Sequence, residues 1–464
     1  MEALEQYDAA IIGVGQAGQP LALALAKHGW KTAIVEKAYL GGTCINYGCT
    51  PTKTLIASAE AAYSARRASV YGIGLDHVRV HWQEVKARKR AIVETFRQSI
   101  ANRFAQAENL TLLRGEASFT SPRSLSVRAA DGLTRSITAD RIFINTGVRP
   151  QTPPLPGLDS VPWLTSTTVM ELDELPPHLL ILGGGYVALE FGQLFRRLGS
   201  EVTIVERGSQ LLRREDPEIA GELRNILAAE GIVFHLDTHV EQVSRDSAGH
   251  ITLHLKTADT TQQVTGTHLL VAVGVAPDTA VLNLSAANVQ TDEHGYIRVD
   301  ERLATTQPGI YALGDVKGGP QFTHISYDDY RIVLAQLLGT AEATTTGRMI
   351  PYTAFTDPQL AHVGLHEKEA TDLGYSVKIA SIPMTYVARA LETDQDKGLM
   401  KAVIDRSTNQ ILGATVLATQ GGEIMAMLQI AMMGKLPYTA LRDGTFAHPT
   451  LAESLNTLFS SLKE

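Results

Sequence analysis

At 464 residues, 44% of them hydrophobic and 19% charged, the chain exceeds the ~250–300 residues at which a single hydrophobic core stops growing, so roughly two to four ordered domains are expected. The formal charge of −8 offers nucleic acid no basic footprint, and no Lys/Arg cluster sits beside an amphipathic run, so nucleic acid and membrane are excluded as expected partners. Glu2 and Glu5 stand where a signal peptide would be basic, and no apolar run reaches the ~18 residues of a membrane span, which makes the cytoplasm the expected location. The 2 cysteines lie close together. In a reducing compartment, such a pair reads as catalytic or as part of a metal site before it reads as a structural staple.

The first predicted element is a buried strand at 8–12 (DAAII). Gly13-Val-Gly15-Gln-Ala-Gly18 follows at once, then the helical pattern PLALALAKHGW and a second strand, TAIVE, ending at Glu36. Glycines in such a turn let the backbone approach a pyrophosphate at a helix N-terminus, and the distal acid bonds a ribose hydroxyl. A helical stretch over 52–108 comes next, then a strand-rich region closing with RIFINTGVRPQTPPLPG, whose prolines mark a linker. The opening pattern then recurs as HLLIL, Gly183-Gly-Gly185-Tyr-Val-Ala188, the helix LEFGQLFRRLG and the strand EVTIVE ending at Glu206; in both copies the acid lies 23 residues after the first glycine.

One such turn can be no more than a tight strand-to-helix connection. Two, each with its acid, predict an α/β chain with two Rossmann-like units that hold two dinucleotides. Glu206 favours NADH in the second unit, while Arg207, Arg213 and Arg214 leave NADPH open. From 346 onward the chain reads as a separate α+β unit, with strands near 377–383, 399–404 and 411–418. Its methionine-rich helix at 422–434 is expected to pack in the core or at a subunit interface. The expected domains are 1–150 completed by 277–345, then 151–276, then 346–464.

The cysteines lie in Gly41-Gly42-Thr43-Cys44-Ile-Asn-Tyr-Gly-Cys49-Thr-Pro-Thr-Lys53. Zinc is disfavoured because no further ligands stand at suitable spacing. This segment, both glycine turns, INTG at 144–147, GD at 314–315 and HPTLAE at 448–453 resemble, over essentially the whole length, the class I pyridine nucleotide-disulfide oxidoreductases. That family contains dihydrolipoamide dehydrogenase, glutathione reductase and mercuric reductase.

The resemblance implies FAD and NAD(P)H as cofactors, a C-terminal dimerisation domain, and a homodimer with shared active sites. By resemblance Cys44 is the interchange thiol that attacks substrate, and Cys49 is the flavin-side thiol that forms the charge-transfer complex. A thiolate is required because the thiol is the poorer nucleophile. His448 and Glu453 supply the base from the opposite subunit, with Pro449 read as a helix start and Glu453 leaning back one turn toward the imidazole. Lys53 and Glu190 match an ion pair near flavin N5, Tyr186 an aromatic cover over the flavin, and Asp315 the acid on the ribityl chain. Gly42, Thr43, Ala117, Thr146, Gly147 and Gly274 complete the cofactor-binding set.

Departures from the family narrow the substrate. Mercuric reductase uses an additional C-terminal cysteine pair and has tyrosine where His448 stands, whereas this chain has only 2 cysteines. Dihydrolipoamide dehydrogenase keeps the His-Pro-Thr-x-x-Glu pattern and is the alternative, although Gln321–Arg331 is unlike its flavin-adjacent segment. That run, CINYGCTPTKT, LPYTALRDGTFAHPT and ESLNTLF look most like the reactive-chlorine-responsive flavoenzymes, whose members reduce hypothiocyanous acid and can reduce Cu(II). Val275-Ala276 replaces the arginine usual in the family's Gly-Arg-x-Pro segment, which puts local contacts there in doubt. The expected function is therefore NAD(P)H-dependent reduction of a small oxidant. The non-catalytic alternative is a flavin-bound redox sensor or complex subunit.

Overall fold

From Ala9 to Ile12 the side chains of the first strand alternate between two hydrophobic cores, and this alternation fixes the architecture around it. In Glu5–Ile12, Ala9 and Ile11 pack with Leu21, Leu25 and Ile34, while Tyr7, Ala10 and Ile12 pack with Phe119 and Ile142. A strand buried on both faces belongs inside a sheet covered on both sides. The computed structural model describes residues 5–462. They form two units: the chain up to Thr54 with Lys86–Gln151 and Gly274–Arg348, and Leu55–Val85 with Thr152–Val273 and the remainder from Met349.

The first unit holds a seven-stranded sheet ordered Leu110–Arg114, Thr32–Glu36, Glu5–Ile12, Thr134–Ile144, Ser124–Arg128, Glu116–Ser121, with Ile310–Ala312 also pairing to Thr134–Ile144. The central pairs are parallel, so the strand ends that carry Gly13 and Asn145 emerge on one edge. Ligands bind at that edge in sheets of this kind. Val148–Pro150 and Val275–Pro277 form a short antiparallel ribbon.

The second unit repeats the parallel design on a smaller scale, with strands ordered Ile232–His235, Glu201–Val205, His178–Leu182, His268–Val271. An antiparallel meander of three strands follows (His239–Arg245, Ile251–Lys256, Thr261–Gly266). The C-terminal sheet has five antiparallel strands, including Val377–Pro383, Leu399–Asp405 and Ile411–Ala418, against which the methionine-rich helix Gly421–Met433 packs. These strands lie where the sequence places them. The expected helical stretch at 52–108 differs: it is two helices, Cys49–Arg66 and Trp82–Gln106, separated by the short turn Ala68–Tyr71, which Gly72 closes at a left-handed φ of 76°, and by the non-helical run that follows.

Buried ion pairs join the parallel sheet of this unit to its C-terminal sheet. Arg197 bonds Glu230 and Asp357, each at 2.7 Å, with its guanidinium over the Tyr63 ring. Lys401 reaches Asp216, Glu218 and Glu367 at 2.7, 2.5 and 2.6 Å, so these three acids hold an ammonium group. Glu215, His362 and His366 also bring ligand-type atoms within 4.8 Å of one another. However, the two imidazoles stack at 3.7 Å and 12°, so their in-plane lone pairs do not converge. Both His362 nitrogens are already bonded, to Thr415 and to the Gly364 carbonyl. Burial holds His362 down to about 3 and pushes Glu215 up to about 7.

The Glu215 shift carries a stability prediction. A carboxyl whose folded value lies above its reference of 4.5 costs stability as pH rises from 4.5 to about 7, because the unfolded chain loses its proton first. Glu215→Gln retains an acceptor for the Tyr352 hydroxyl, which bonds Glu215 Oε1 at 2.5 Å. Chemical denaturation should show no gain over the parent below pH 4.5, a gain growing up to about pH 7, and a plateau above. A gain independent of pH would contradict the assignment.

Candidate active site

In the first unit, three distant motifs are tied together by one side chain. Asn145 Oδ1 accepts the Gly18 N–H at 2.9 Å, and its Nδ2 donates to the Leu313 carbonyl at 2.8 Å, linking the first glycine turn, INTG and GD. The turn tolerates nothing larger than glycine at its end, since a Cβ on Gly18 would lie 2.2 Å from the Gly13 carbonyl oxygen. Gly42, at φ +63°, packs so closely that its Cβ would sit 2.7 Å from Gly15 Cα. Glu36 is fixed at its strand end by the Val14 and Ala38 N–H groups, at 2.9 and 2.8 Å.

Thr146 Oγ1 is buried and has no hydrogen-bond partner. Buried hydroxyls are almost always satisfied, so this one marks a place for a polar ligand beside Gly147 and close to the Gly13 turn. Asp315 opens the turn Gly314–Lys317, and burial raises its carboxyl to about 6, against the opposing pull of Lys317. The turn itself is held by Asp329, which is fully buried, accepts the Gly314 N–H at 2.8 Å and pairs with Arg348 at 2.7 Å. Ala117 buries its side chain in the apolar core, so only its backbone could serve a ligand. Gly274 accepts the Gln151 N–H through its carbonyl at 3.0 Å.

Cys44 lies within the short helix Gly42–Asn46, and Cys49 begins the helix Cys49–Arg66. Asn46 donates to the Leu40 and Gly42 carbonyls at 3.0 and 2.8 Å and accepts from Arg97 at 2.5 Å, which pins the loop. Cys44, half-buried, and Cys49, exposed, are both thiols. The Cys44 hydrogen bond to Cys49, reinforced by burial, pushes the Cys44 thiol far up. Thr323 Oγ1 lies 3.4 Å from Cys49 Sγ. Thr43 is exposed on the short helix, and Lys53 lies one turn beyond Cys49, half-buried.

In the second unit, Gly183 and Gly185 lead into the helix Tyr186–Leu198. No atom lies within 4 Å of where a Gly185 Cβ would be, which leaves room at the helix N-terminus for a phosphate. Glu206 accepts the Gly184 N–H at 2.6 Å and the Gly208 N–H at 2.7 Å, while Arg207, Arg213 and Arg214 are exposed around it. Tyr186 is 43% exposed and Ala188 fully buried. Glu190 is buried, and its carboxylate accepts the Phe355 N–H at 2.8 Å.

His448 Nδ1 bonds Glu453 Oε2 at 2.8 Å and Oε1 at 3.1 Å. The pairing is as expected, but the local structure is not. Pro449 does not start a helix: the helix is Ser454–Ser460, with Glu453 at its N-cap. The segment between is a turn, in which Thr450 donates its hydroxyl to the Ala447 carbonyl and accepts the Glu453 N–H. Residues that the sequence reading missed are Asp329, Arg348, Arg97 and Thr323; Asn145 stood within INTG without a role.

Comparison with known proteins gives this geometry its family. Residues 7–329 match the model described as pyridine nucleotide-disulphide oxidoreductase, and residues 350–459 match the dimerisation domain of the same family. The chain is 39% identical to the probable pyridine nucleotide-disulfide oxidoreductase RclA of Escherichia coli over 99% of this chain and 100% of the other. It is 38% identical to a mercuric reductase of Streptomyces lividans, over 98% and 96%. A solved structure, the Cu(II) complex of the HOCl-induced flavoprotein disulfide reductase RclA from E. coli, superposes with a TM-score of 0.90, covering 98% of this chain and 99% of that one at 39% identity.

The chain belongs to the class I pyridine nucleotide-disulfide oxidoreductases. It is an enzyme with two Rossmann-like domains and a C-terminal domain, it depends on FAD and it uses NAD(P)H. The matched dimerisation domain supports a homodimer. Among the described residues no helix is long and apolar enough to cross a membrane.

Proposed function

We propose that this enzyme reduces a small electrophilic oxidant, hypothiocyanous acid, at the expense of NAD(P)H through a Cys44–Cys49 disulfide. The carrying observation is the two-thiol site, in which the Cys44 and Cys49 side chains are hydrogen-bonded to each other, in a chain whose 2 cysteines are both used there. It stands beside full-length similarity to RclA, a reductase described as HOCl-induced. FAD, when bound, supplies the two-electron link from NAD(P)H to the disulfide.

In the reduced pair, Cys44 gives its proton to His448 of the partner subunit, and its sulfur attacks the sulfur of HOSCN. An S–S bond forms, the S–O bond breaks, and hydroxide leaves as water with the proton from the imidazole. The Cys49 thiolate then attacks the Cys44 sulfur, expels thiocyanate and closes the disulfide. One dithiol monoanion and HOSCN thus yield disulfide, thiocyanate and water, with two electrons transferred. Glu453 holds the Nδ1–H of His448, so that Nε2 carries the exchanged proton. On this reading Lys53 and Glu190 tune the flavin side, Tyr186 gates the nicotinamide, and Glu206 favours NADH. The domain boundaries follow as 1–150 with 277–345, 151–276 and 346–464.

The second reading is dihydrolipoyl dehydrogenase, to which relatives of 32% identity point. Anaerobic NADH and NADPH consumption with hypothiocyanite, lipoamide and Cu(II) at equal concentration separates the readings. Fast turnover with hypothiocyanite alone supports the first, whereas preference for lipoamide overturns it.

A further inference from the structure

The segment that carries Cys44 rests on one face of the helix Trp82–Gln106, on which Arg97, Ile100 and Phe104 are spaced to stand together. Ile100 and Phe104 share a buried core with Leu40 and Ile45. The packing is close: a Cβ on Gly41 would lie 2.8 Å from Ile45 and 3.1 Å from Ile100. Arg97 grips the polar side of the same segment at two points. Its Nε donates to Asn46 Oδ1 at 2.5 Å, and its guanidinium lies 3.8 Å from the centre of the Tyr39 ring. Tyr39 in turn meets Tyr47 edge-on at 6.5 Å. Glu94, at 3.7 Å, is the one acid paired with Arg97 among the described residues, and its 65% exposure leaves it a weak competitor.

We propose that Arg97 is a positioning residue of the redox loop: by holding Tyr39 and Asn46, on either side of Cys44, it keeps Cys44 within bonding reach of Cys49 while the disulfide is open. This rests on the reading of Cys44 and Cys49 as a redox pair.

The two redox states need this clamp unequally. In the disulfide, the S–S bond itself ties residue 44 to residue 49. In the dithiol that tie is gone, and Cys44 follows Gly41 and Gly42, both at left-handed φ, where the backbone has most freedom to move. Only contacts from outside the loop then hold it. Losing the clamp gives freedom chiefly to the dithiol, lowers the effective concentration of one thiol at the other, and makes the disulfide easier to reduce.

The test equilibrates the FAD-bound enzyme anaerobically with dithiothreitol buffers of graded reduced-to-oxidised ratio, quenches by alkylation, and reads the Cys44–Cys49 disulfide by mass. Dithiothreitol gives two electrons and two protons to the disulfide and closes its own ring. Arg97→Met, which keeps an apolar stem and loses every donor, should raise the reduction potential by about 30 mV, a tenfold loss in the equilibrium for closing the disulfide. Arg97→Lys, which keeps a charged donor without the planar stack, should recover part of the shift. Tyr39→Leu, which removes the stack and leaves the Asn46 bond, should raise the potential by less than the methionine variant. All are compared at equal FAD content. A merely structural role would lower the unfolding temperature and leave the potential of the folded enzyme where it is. An unmoved or lowered potential in the methionine variant overturns the inference, and so does the same result in the leucine variant. A parent enzyme that forms no Cys44–Cys49 disulfide at any ratio overturns the reading of the pair, and the inference with it.

Discussion

Cys44→Ser is expected to lower oxidant turnover by on the order of 10³-fold or more, while the protein still binds FAD and NADH still bleaches the flavin. The serine oxygen would occupy nearly the same place in the short helix Gly42–Asn46. It is a far weaker nucleophile at neutral pH and cannot close a disulfide with Cys49. The bonds that build the dinucleotide cradle, from Asn145 to Gly18 and Leu313 and from Glu36 to Val14, do not involve the Cys44 side chain. Stopped-flow reduction by NADH, followed by mixing with hypothiocyanite, reads the two halves separately. Unchanged reoxidation in the variant would sink the disulfide mechanism and leave direct oxidation of the flavin in its place.

The parts of the site legible in the sequence are those written locally. A glycine turn and its acid lie on consecutive elements, so their spacing of 23 residues carries the Rossmann unit, and the C-terminal strands announce themselves by their apolar runs. The two thiols share one short segment for the same reason. The tie made by Asn145 spans 127 residues to Gly18, and Thr323 lies 274 residues from Cys49. No periodicity encodes contacts that only the fold closes. Asp329 was hidden differently: in YDDYR it looks like an exposed helical acid, and only its full burial beneath the Gly314 turn shows its task. At HPTLAE the residues suggested proline at a helix start. The Thr450 hydroxyl instead satisfies the Glu453 N–H and Ala447 carbonyl, so a turn stands where a helix was expected.

His448→Ala is expected to lower kcat/KM by about 10²–10⁴-fold, the usual worth of a positioned acid–base group. Glu453→Ala should cost less, about tenfold, because it removes the carboxylate that fixes Nδ1 and leaves the ring. The two losses should not add in the double variant, since Glu453 acts through His448. The imidazole is 66% exposed in the single chain, an unusual setting for a base unless a second chain completes its surroundings. That makes the shared site directly testable. Inactive Cys44→Ser and inactive His448→Ala homodimers, mixed and allowed to exchange subunits, place both lesions in one site of each heterodimer and leave the other site intact. Half of the dimers then carry one working site of two, so activity should recover to about a quarter of the parent. Recovery near that level requires His448 to serve the other subunit's Cys44. If exchange is demonstrated by mass and no activity returns, the base serves its own chain or none.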